Sequence, residues 1–185
     1  MTNNKENLTK VVTGKVRFSY VHVFEPTKDD DGNEKYSVSV LIDKKDTKTI
    51  NAIENAIEAA KQAGITKFGG KIPAKLKLPL RDGDEEKEDD ENYKGKYFIN
   101  ANCRQKPGLV DKKGRPIIDC TEFYSGCYGL ASISFYAFNM KGNKGIACGL
   151  NNIMKTEDGE PLGGRSRAED DFAEFIEADE DDFLA

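Results

Sequence analysis

Apolar and polar residues alternate along much of this chain at a period of two, the pattern of strands with one buried and one wet face. From Val11 to Phe24 it places Val12, Val16, Phe18 and Tyr20 on one side and Thr13, Lys15, Arg17 and Ser19 on the other. Residues 25–33, Glu-Pro-Thr-Lys-Asp-Asp-Asp-Gly-Asn, supply a turn. The chain returns with Tyr36, Val38, Val40 and Ile42 against Ser37, Ser39 and Leu41, which completes a hairpin. Between Asp43 and Gly64 the period changes. Ile50, Ile53, Ile57 and Ala60 form one apolar stripe, Asp46 or Thr47 can cap the start, and Gly64 can end it. A helix with a single apolar stripe belongs on the outside of a β core.

Residues 67–80, with Pro73 and Pro79, read as a short irregular strand, and the acidic run 82–91 as a solvated loop. Two-residue alternation resumes at Lys94. Lys94, Lys96, Phe98, Asn100, Asn102, Arg104 and Lys106 share one face, and Gly95, Tyr97, Ile99, Ala101 and Cys103 the other. Residues 106–119 form a basic loop tip with Lys112, Lys113 and Arg115, followed by Phe123, Tyr124 and Tyr128. From Leu130 to Asn139, Ala131, Ile133, Phe135 and Ala137 oppose Ser132, Ser134, Tyr136 and Phe138, and either face could be the core. Met140–Gly145 makes a tight turn into a last strand, 146–153. Five or six strongly turned strands with one outside helix predict a mainly β fold. The expected form is a five-stranded barrel of the oligonucleotide/oligosaccharide-binding (OB) type.

Charge changes this picture. Across 185 residues the net charge is −5, but residues 169–185 hold nine of the 33 acids and none of the 28 bases. Residues 82–91 hold eight more acids against Lys87 alone. What remains is a strongly basic body, 27 bases to 16 acids, carrying two acidic appendages. This asymmetry suits a polyanionic ligand. The wet face of 94–106 fits it, since cations neutralise phosphates, a ring stacks on a base and amides bond base edges. The alternative is an edge strand whose lysines discourage aggregation.

Ser166 and Glu169 form a capping box ahead of Phe172, Phe175 and Ile176, which predicts a short amphipathic helix at 167–177. Beyond it, Asp179, Glu180, Asp181 and Asp182 precede Phe183 and Leu184, in a segment too charged to bury. Such an end can lie in the chain's own cationic groove and, once displaced, dock a partner. The expected organisation is a binding domain at 1–168 and an interaction tail at 169–185.

Cys103, Cys120, Cys127 and Cys148 are far apart, and His22 is the single histidine, so no metal site and no cofactor are expected. No nucleophile–base pairing or phosphate-binding glycine loop is present, which argues against an enzyme. No run reaches the length of a membrane helix and the start is polar, so the expected location is the cytosol.

Several segments resemble the phage-type single-stranded-DNA-binding proteins with an OB barrel. They are 16–20 with Phe24-Glu-Pro, 34–42, 95–102 with Lys106-Pro-Gly-Leu-Val-Asp, and Tyr124-Ser-Gly-Cys-Tyr-Gly. The most specific runs from Phe135-Tyr-Ala-Phe-Asn through 145–152 to Gly159-Glu-Pro-Leu-Gly-Gly-Arg. The resemblance implies a replication and recombination protein of a phage in its bacterial host. Such a protein coats single strands, recruits partners through its acidic tail and tends to be a homodimer. Here Phe183 is followed by Leu184 and Ala185, whereas the better-known tails end on the aromatic.

The expected function is sequence-independent binding of single-stranded DNA. The expected contacts are Lys15, Arg17, Lys96, Phe98, Asn102, Arg104, Lys106, Lys112, Lys113 and Arg115, with Tyr124, Tyr128, Tyr136 and Phe138 as candidate stacking rings. Each ring is equally suited to a core. The competing reading is an acidic module that mimics DNA to occupy another protein. RNA stays open as a ligand, because stacking and phosphate contacts do not read the sugar.

Overall fold

The computed structural model describes residues 8–162 and 171–177. The strands are β1 (Lys10–Val12), β2 (Val16–Lys28), β3 (Glu34–Asp43), β4 (Arg81–Asp82), β5 (Lys96–Cys103), β6 (Gly108–Val110), β7 (Tyr128–Met140) and β8 (Asn143–Glu157). The main helix is α1 (Thr47–Ala63), and a single turn, α2, spans Gly83–Glu86.

Five strands close a ring of hydrogen bonds in the order β2, β3, β5, β8, β7 and back to β2. Two links are short. β5 meets β8 in a parallel pairing at Asn102 and Gly149, and β2 meets β7 only at Val16–Gly129 and Arg17–Tyr128. The rest are long antiparallel ladders, so the ring is held by the fewest pairings at these two seams. β1 adds to β7, and β6 lies parallel to β8.

The alternating pattern resolves cleanly inside the ring. Val38, Val40 and Ile42 from β3, Ile99 and Ala101 from β5, and Ala131, Ile133, Phe135 and Ala137 from β7 share one core. The Ala131 face, not the Ser132 face, is therefore the buried side of β7. The stripe Ile50, Ile53, Ile57 and Ala60 seats α1 on that core, and the Asp46 carboxylate caps the helix by accepting from the Thr49 amide at 3.2 Å. At Gly64, where the helix ends, a Cβ would overlap that of Ala137. The glycine thus permits the close approach of helix and strand.

Four expectations need correction. The strand expected over 11–24 is two strands, because Thr13 and Gly14 turn aside. The Thr13 hydroxyl accepts from the Ala131 amide, and the Gly14 amide donates to the Thr49 hydroxyl. This break, and a register shift between Ser19 and His22, leave Val12 and Tyr20 exposed rather than in the core with Val16 and Phe18. The irregular strand expected over 67–80 is instead a short 3-10 turn (Ile65–Phe68) and extended chain, touching the sheet through a bridge at Lys77 and Gly145.

The acidic run is folded rather than a solvated loop. β4 pairs with β5, α2 and a 3-10 turn (Glu91–Tyr93) follow, and Tyr93 is fully buried against Phe98 and Leu41. Its outer contacts are ionic, with Lys44 between Asp82 (2.8 Å) and Asp84 (2.7 Å). The helix expected at 167–177 is described only over 171–177, where the Phe175 and Ile176 amides donate to the Phe172 carbonyl. Residues 178–185, including Asp179–Leu184, lie outside the described residues.

Candidate nucleic-acid interface

The alternation that buries Val38, Val40, Ile99 and Ala101 turns Ser37, Ser39, Asn100 and Asn102 outward. The β3–β5 register sets Ser37 opposite Asn102, Ser39 opposite Asn100 and Leu41 opposite Phe98. The Ser39 hydroxyl donates to Asn100 Oδ1. These groups floor an open depression of about 290 Å³. Tyr20, Lys35, Arg81 and Lys87 stand at its rim, so hydroxyls and amides form the base and cations and a ring the margin.

Tyr20 owes its position to the backbone. Its φ of +48° lies in the left-handed region, which a bulky side chain adopts only when the surroundings impose it. The imposing feature is the β2 bulge between Ser19 and His22, and bulges re-aim side chains in this way. The ring is 56% exposed, so it offers a face to solvent at the edge of the cleft. Tyr136, 46% exposed, stands outside this depression across the β5–β8 seam, with its Cε1 3.6 Å from where a Cβ of Gly149 would sit. Gly149 is the residue paired with Asn102 across the β5–β8 seam.

The residues expected from the sequence divide into two groups. Lys96, Asn102, Arg104 and Lys106 do lie along β5 and its exit, on the strand that floors the cleft. Lys96 also reaches Asp43 at 3.4 Å, and Lys106 stands 5.8 Å from the centre of the Phe24 ring. Phe98 is on the expected face but is 1% exposed. Tyr93 packs on it edge to face at 5.2 Å and the Arg81 guanidinium covers it at 5.2 Å, so its ring is not an open stacking platform. The Phe138 ring is half-buried over Gly145.

The second group gathers where β8 ends. Lys15 and Arg17 stand 5.2 and 5.3 Å from the centre of the Tyr128 ring. Lys15 pairs with Glu157 at 2.6 Å, and Arg17 donates to the carbonyls of Gly126 and Glu160 at 3.0 and 2.7 Å. The Tyr124 hydroxyl donates to Asp158 at 2.9 Å and accepts from the Gly159 amide at 3.2 Å. Arg17 and Tyr124 thus fasten the chain leaving the barrel, and Tyr128 lies under the Lys15 and Arg17 cations. Lys112, Lys113 and Arg115, on the turn after β6, share a depression with Lys155, Glu157 and Asp158, and Arg115 is paired with Asp111 at 3.0 Å.

Sequence reading missed Tyr20, Lys35, Ser37, Ser39, Arg81 and Lys87. The signal for Ser37 and Ser39 was present, since any strand pairing of 34–43 with 96–103 in this phase brings both wet faces together. Nothing in the letters marked the bulge that exposes Tyr20.

The electrostatics of the acidic segment follow from its contacts. The carboxyl of Asp84 is held below the usual carboxylate range by the Lys44 ammonium and by the Gly95 amide, which donates to it at 2.9 Å. Lys44 is correspondingly raised by hydrogen bonds to Asp82 and Asp84. Burial raises the thiols of Cys103 and Cys148 above the ordinary cysteine value. Among the described residues no cluster of three or more His, Cys, Asp or Glu side chains could hold a metal ion. No helix of the described residues is long and apolar enough to cross a membrane.

A five-stranded ring whose central outward face carries amides, hydroxyls and a rim of cations and rings has the build of an OB-type nucleic-acid-binding barrel. The family described as "Enterobacter phage Enc34, ssDNA-binding protein" matches residues 9–184, and the chain belongs to that family, one of binding proteins rather than enzymes. Its relative "Putative protein p50" of Acyrthosiphon pisum secondary endosymbiont phage 1 is 29% identical over 188 residues, covering 95% of this chain and 99% of the relative.

Among solved structures, the single-stranded DNA-binding protein of bacteriophage Enc34 in complex with ssDNA superposes with a TM-score of 0.69. It is 28% identical and covers 84% of this chain and 90% of that one. The bacteriophage T7 single-stranded DNA-binding protein gp2.5 shares the fold, with a TM-score of 0.60 at 17% identity over 91% of this chain and 94% of that one.

Proposed function

We propose that this protein binds single-stranded DNA without sequence preference, along the outward face of β3 and β5. The observation that carries the reading is the depression floored by Ser37, Ser39, Asn100 and Asn102 and rimmed by Tyr20, Lys35, Arg81 and Lys87. Support comes from its family and from the Enc34 relative, whose structure holds ssDNA.

In this mechanism Tyr20 at the rim and Tyr136 across the β5–β8 seam stack on bases, each contributing about 1–3 kcal/mol. Any base has a π face, so stacking tolerates all sequences. The floor amides and hydroxyls bond base edges or sugars. Lys35, Lys87, Arg104 and Lys106 neutralise phosphates and make affinity fall with salt. The basic turn with Lys112 and Lys113 would extend the backbone track rather than the stacking floor.

The protein acts in phage replication or recombination, as a homodimer, with residues 169–185 competing for the cleft and recruiting partner proteins once displaced. Nine carboxylates without a base suit that competition. The test is anisotropy of a fluorescent oligothymidine with the full chain and with a variant lacking 169–185, at two salt concentrations. Binding that weakens with salt and tightens without the tail supports both parts. Binding unaffected by the deletion would remove the competition and keep the DNA-binding function, and no binding by either would overturn the reading.

A further inference from the structure

We infer that Arg81 is a phosphate-contact residue of the cleft whose guanidinium is held by Glu86, a carboxylate standing in for phosphate. This deepens the single-stranded-DNA reading above and rests on it. Arg81 opens the acidic segment and lines the same depression as Lys35, Asn100 and Asn102. Its guanidinium lies over the Phe98 ring at 5.2 Å. Glu86 engages it as a fork, with Nε 3.0 and 2.9 Å from Oε1 and Oε2 and Nη2 2.7 Å from Oε1. Two oxygens on a planar fork is also the geometry by which arginine grips a phosphodiester.

Two further facts make the exchange feasible. Both side chains are open to solvent, 45% and 39% exposed, and ion pairs at such exposure are weak enough to be displaced. The segment does not depend on Glu86 for its place. Arg81 and Asp82 are paired in the sheet with Phe98 and Tyr97, Tyr93 is buried beneath, and Lys44 ties Asp82 and Asp84. Glu86 can therefore let go while the cleft wall stands. A strand phosphate then takes the fork, with Glu86 released to water.

The experiment is oligothymidine anisotropy across a KCl series with the full chain and its Glu86→Gln, Arg81→Met and doubly substituted forms. Glu85→Gln serves as control, since Glu85 is exposed and next to Glu86 in sequence. Glu86→Gln is expected to tighten binding by about two- to five-fold, the range set by an exposed ion pair. Arg81→Met is expected to weaken binding and make the log–log salt slope shallower by about 0.7, one single-strand phosphate contact. In the Arg81→Met background the Glu86→Gln gain disappears, because the two act through one contact. Arg81→Lys, which keeps the charge, retains the salt slope even where Arg81→Met folds poorly.

A Glu86→Gln variant no tighter than the parent, or a gain matched by Glu85→Gln or kept in the Arg81→Met background, would overturn the inference while leaving DNA binding intact. Absence of binding by the unsubstituted chain would overturn the reading on which it rests.

Discussion

Tyr93→Ala tests whether the acidic segment is a docked wall of the cleft. Tyr93 is 1% exposed, sits edge to face on Phe98 at 5.2 Å and shares a small core with Leu41 and Leu162. Its hydroxyl lies within hydrogen-bonding reach of the Ser19 and Ser39 side chains. Truncating a fully buried aromatic to alanine costs about 3–4 kcal/mol through lost burial and the cavity left behind. With a urea dependence of about 2 kcal/mol/M for a chain of this size, the unfolding midpoint falls by roughly 1.5–2 M. Tyr93→Phe removes only the hydroxyl and costs about 1 kcal/mol. The assay is urea unfolding followed by far-ultraviolet circular dichroism. A loss below about 1 kcal/mol for Tyr93→Ala would show that the segment is not docked, because deletion of an exposed ring has almost no cost.

Other outcomes follow from the same contacts. Tyr20→Ala and Tyr136→Ala are each expected to weaken oligothymidine binding by about 1–3 kcal/mol while leaving the urea midpoint nearly unchanged, which anisotropy and unfolding measure separately. Arg17→Ala is expected to do the reverse, lowering stability by about 1–2 kcal/mol through two unpaired carbonyls with less effect on DNA affinity. Gly64→Ala forces a Cβ into that of Ala137 and should cost about 1–3 kcal/mol in thermal or urea unfolding. Asp84 has a folded-state pKa below its unfolded value, so its stabilisation is present above the unfolded pKa, near 3.8, and is lost as pH falls through the lower folded value. Asp84→Asn should therefore flatten the stability–pH curve below about pH 4, where unfolding in acid would be followed.

The parts of the fold carried by local periodicity were legible in the chain. The stripe Ile50–Ala60, its Asp46 cap and Gly64 stop, and the alternation over 34–42 and 96–103 need no partner to be read. What failed depended on distant contacts. Thr13 and Gly14 look like strand residues, and only their bonds to Ala131 and Thr49 divide the strand there. The run 82–91 reads as solvent-loving because eight of its ten residues are acids, yet Tyr93, just beyond it, drives its docking onto Phe98 and Leu41.

The same cause explains the site. Phe98 was placed on the correct face, but the letters could not show that Tyr93 and Arg81 cover it. Arg17 and Tyr124 have the composition of a nucleic-acid contact and are engaged by the backbone after β8, with the Tyr128 ring under the Arg17 guanidinium. A basic or aromatic residue type limits what a position can do, and its neighbours decide what it does.

In the proposed complex, single-stranded DNA lies along the outward face of β3 and β5. The most direct measurement is titration of the isotope-labelled full chain with oligothymidine, following amide chemical shifts residue by residue. Shifts concentrated at Tyr20, Ser37, Ser39, Asn100, Asn102 and Tyr136 are the predicted result. Shifts confined to Lys15, Lys112–Arg115, Tyr124 and Tyr128 would contradict it and move the interface to the end of β8.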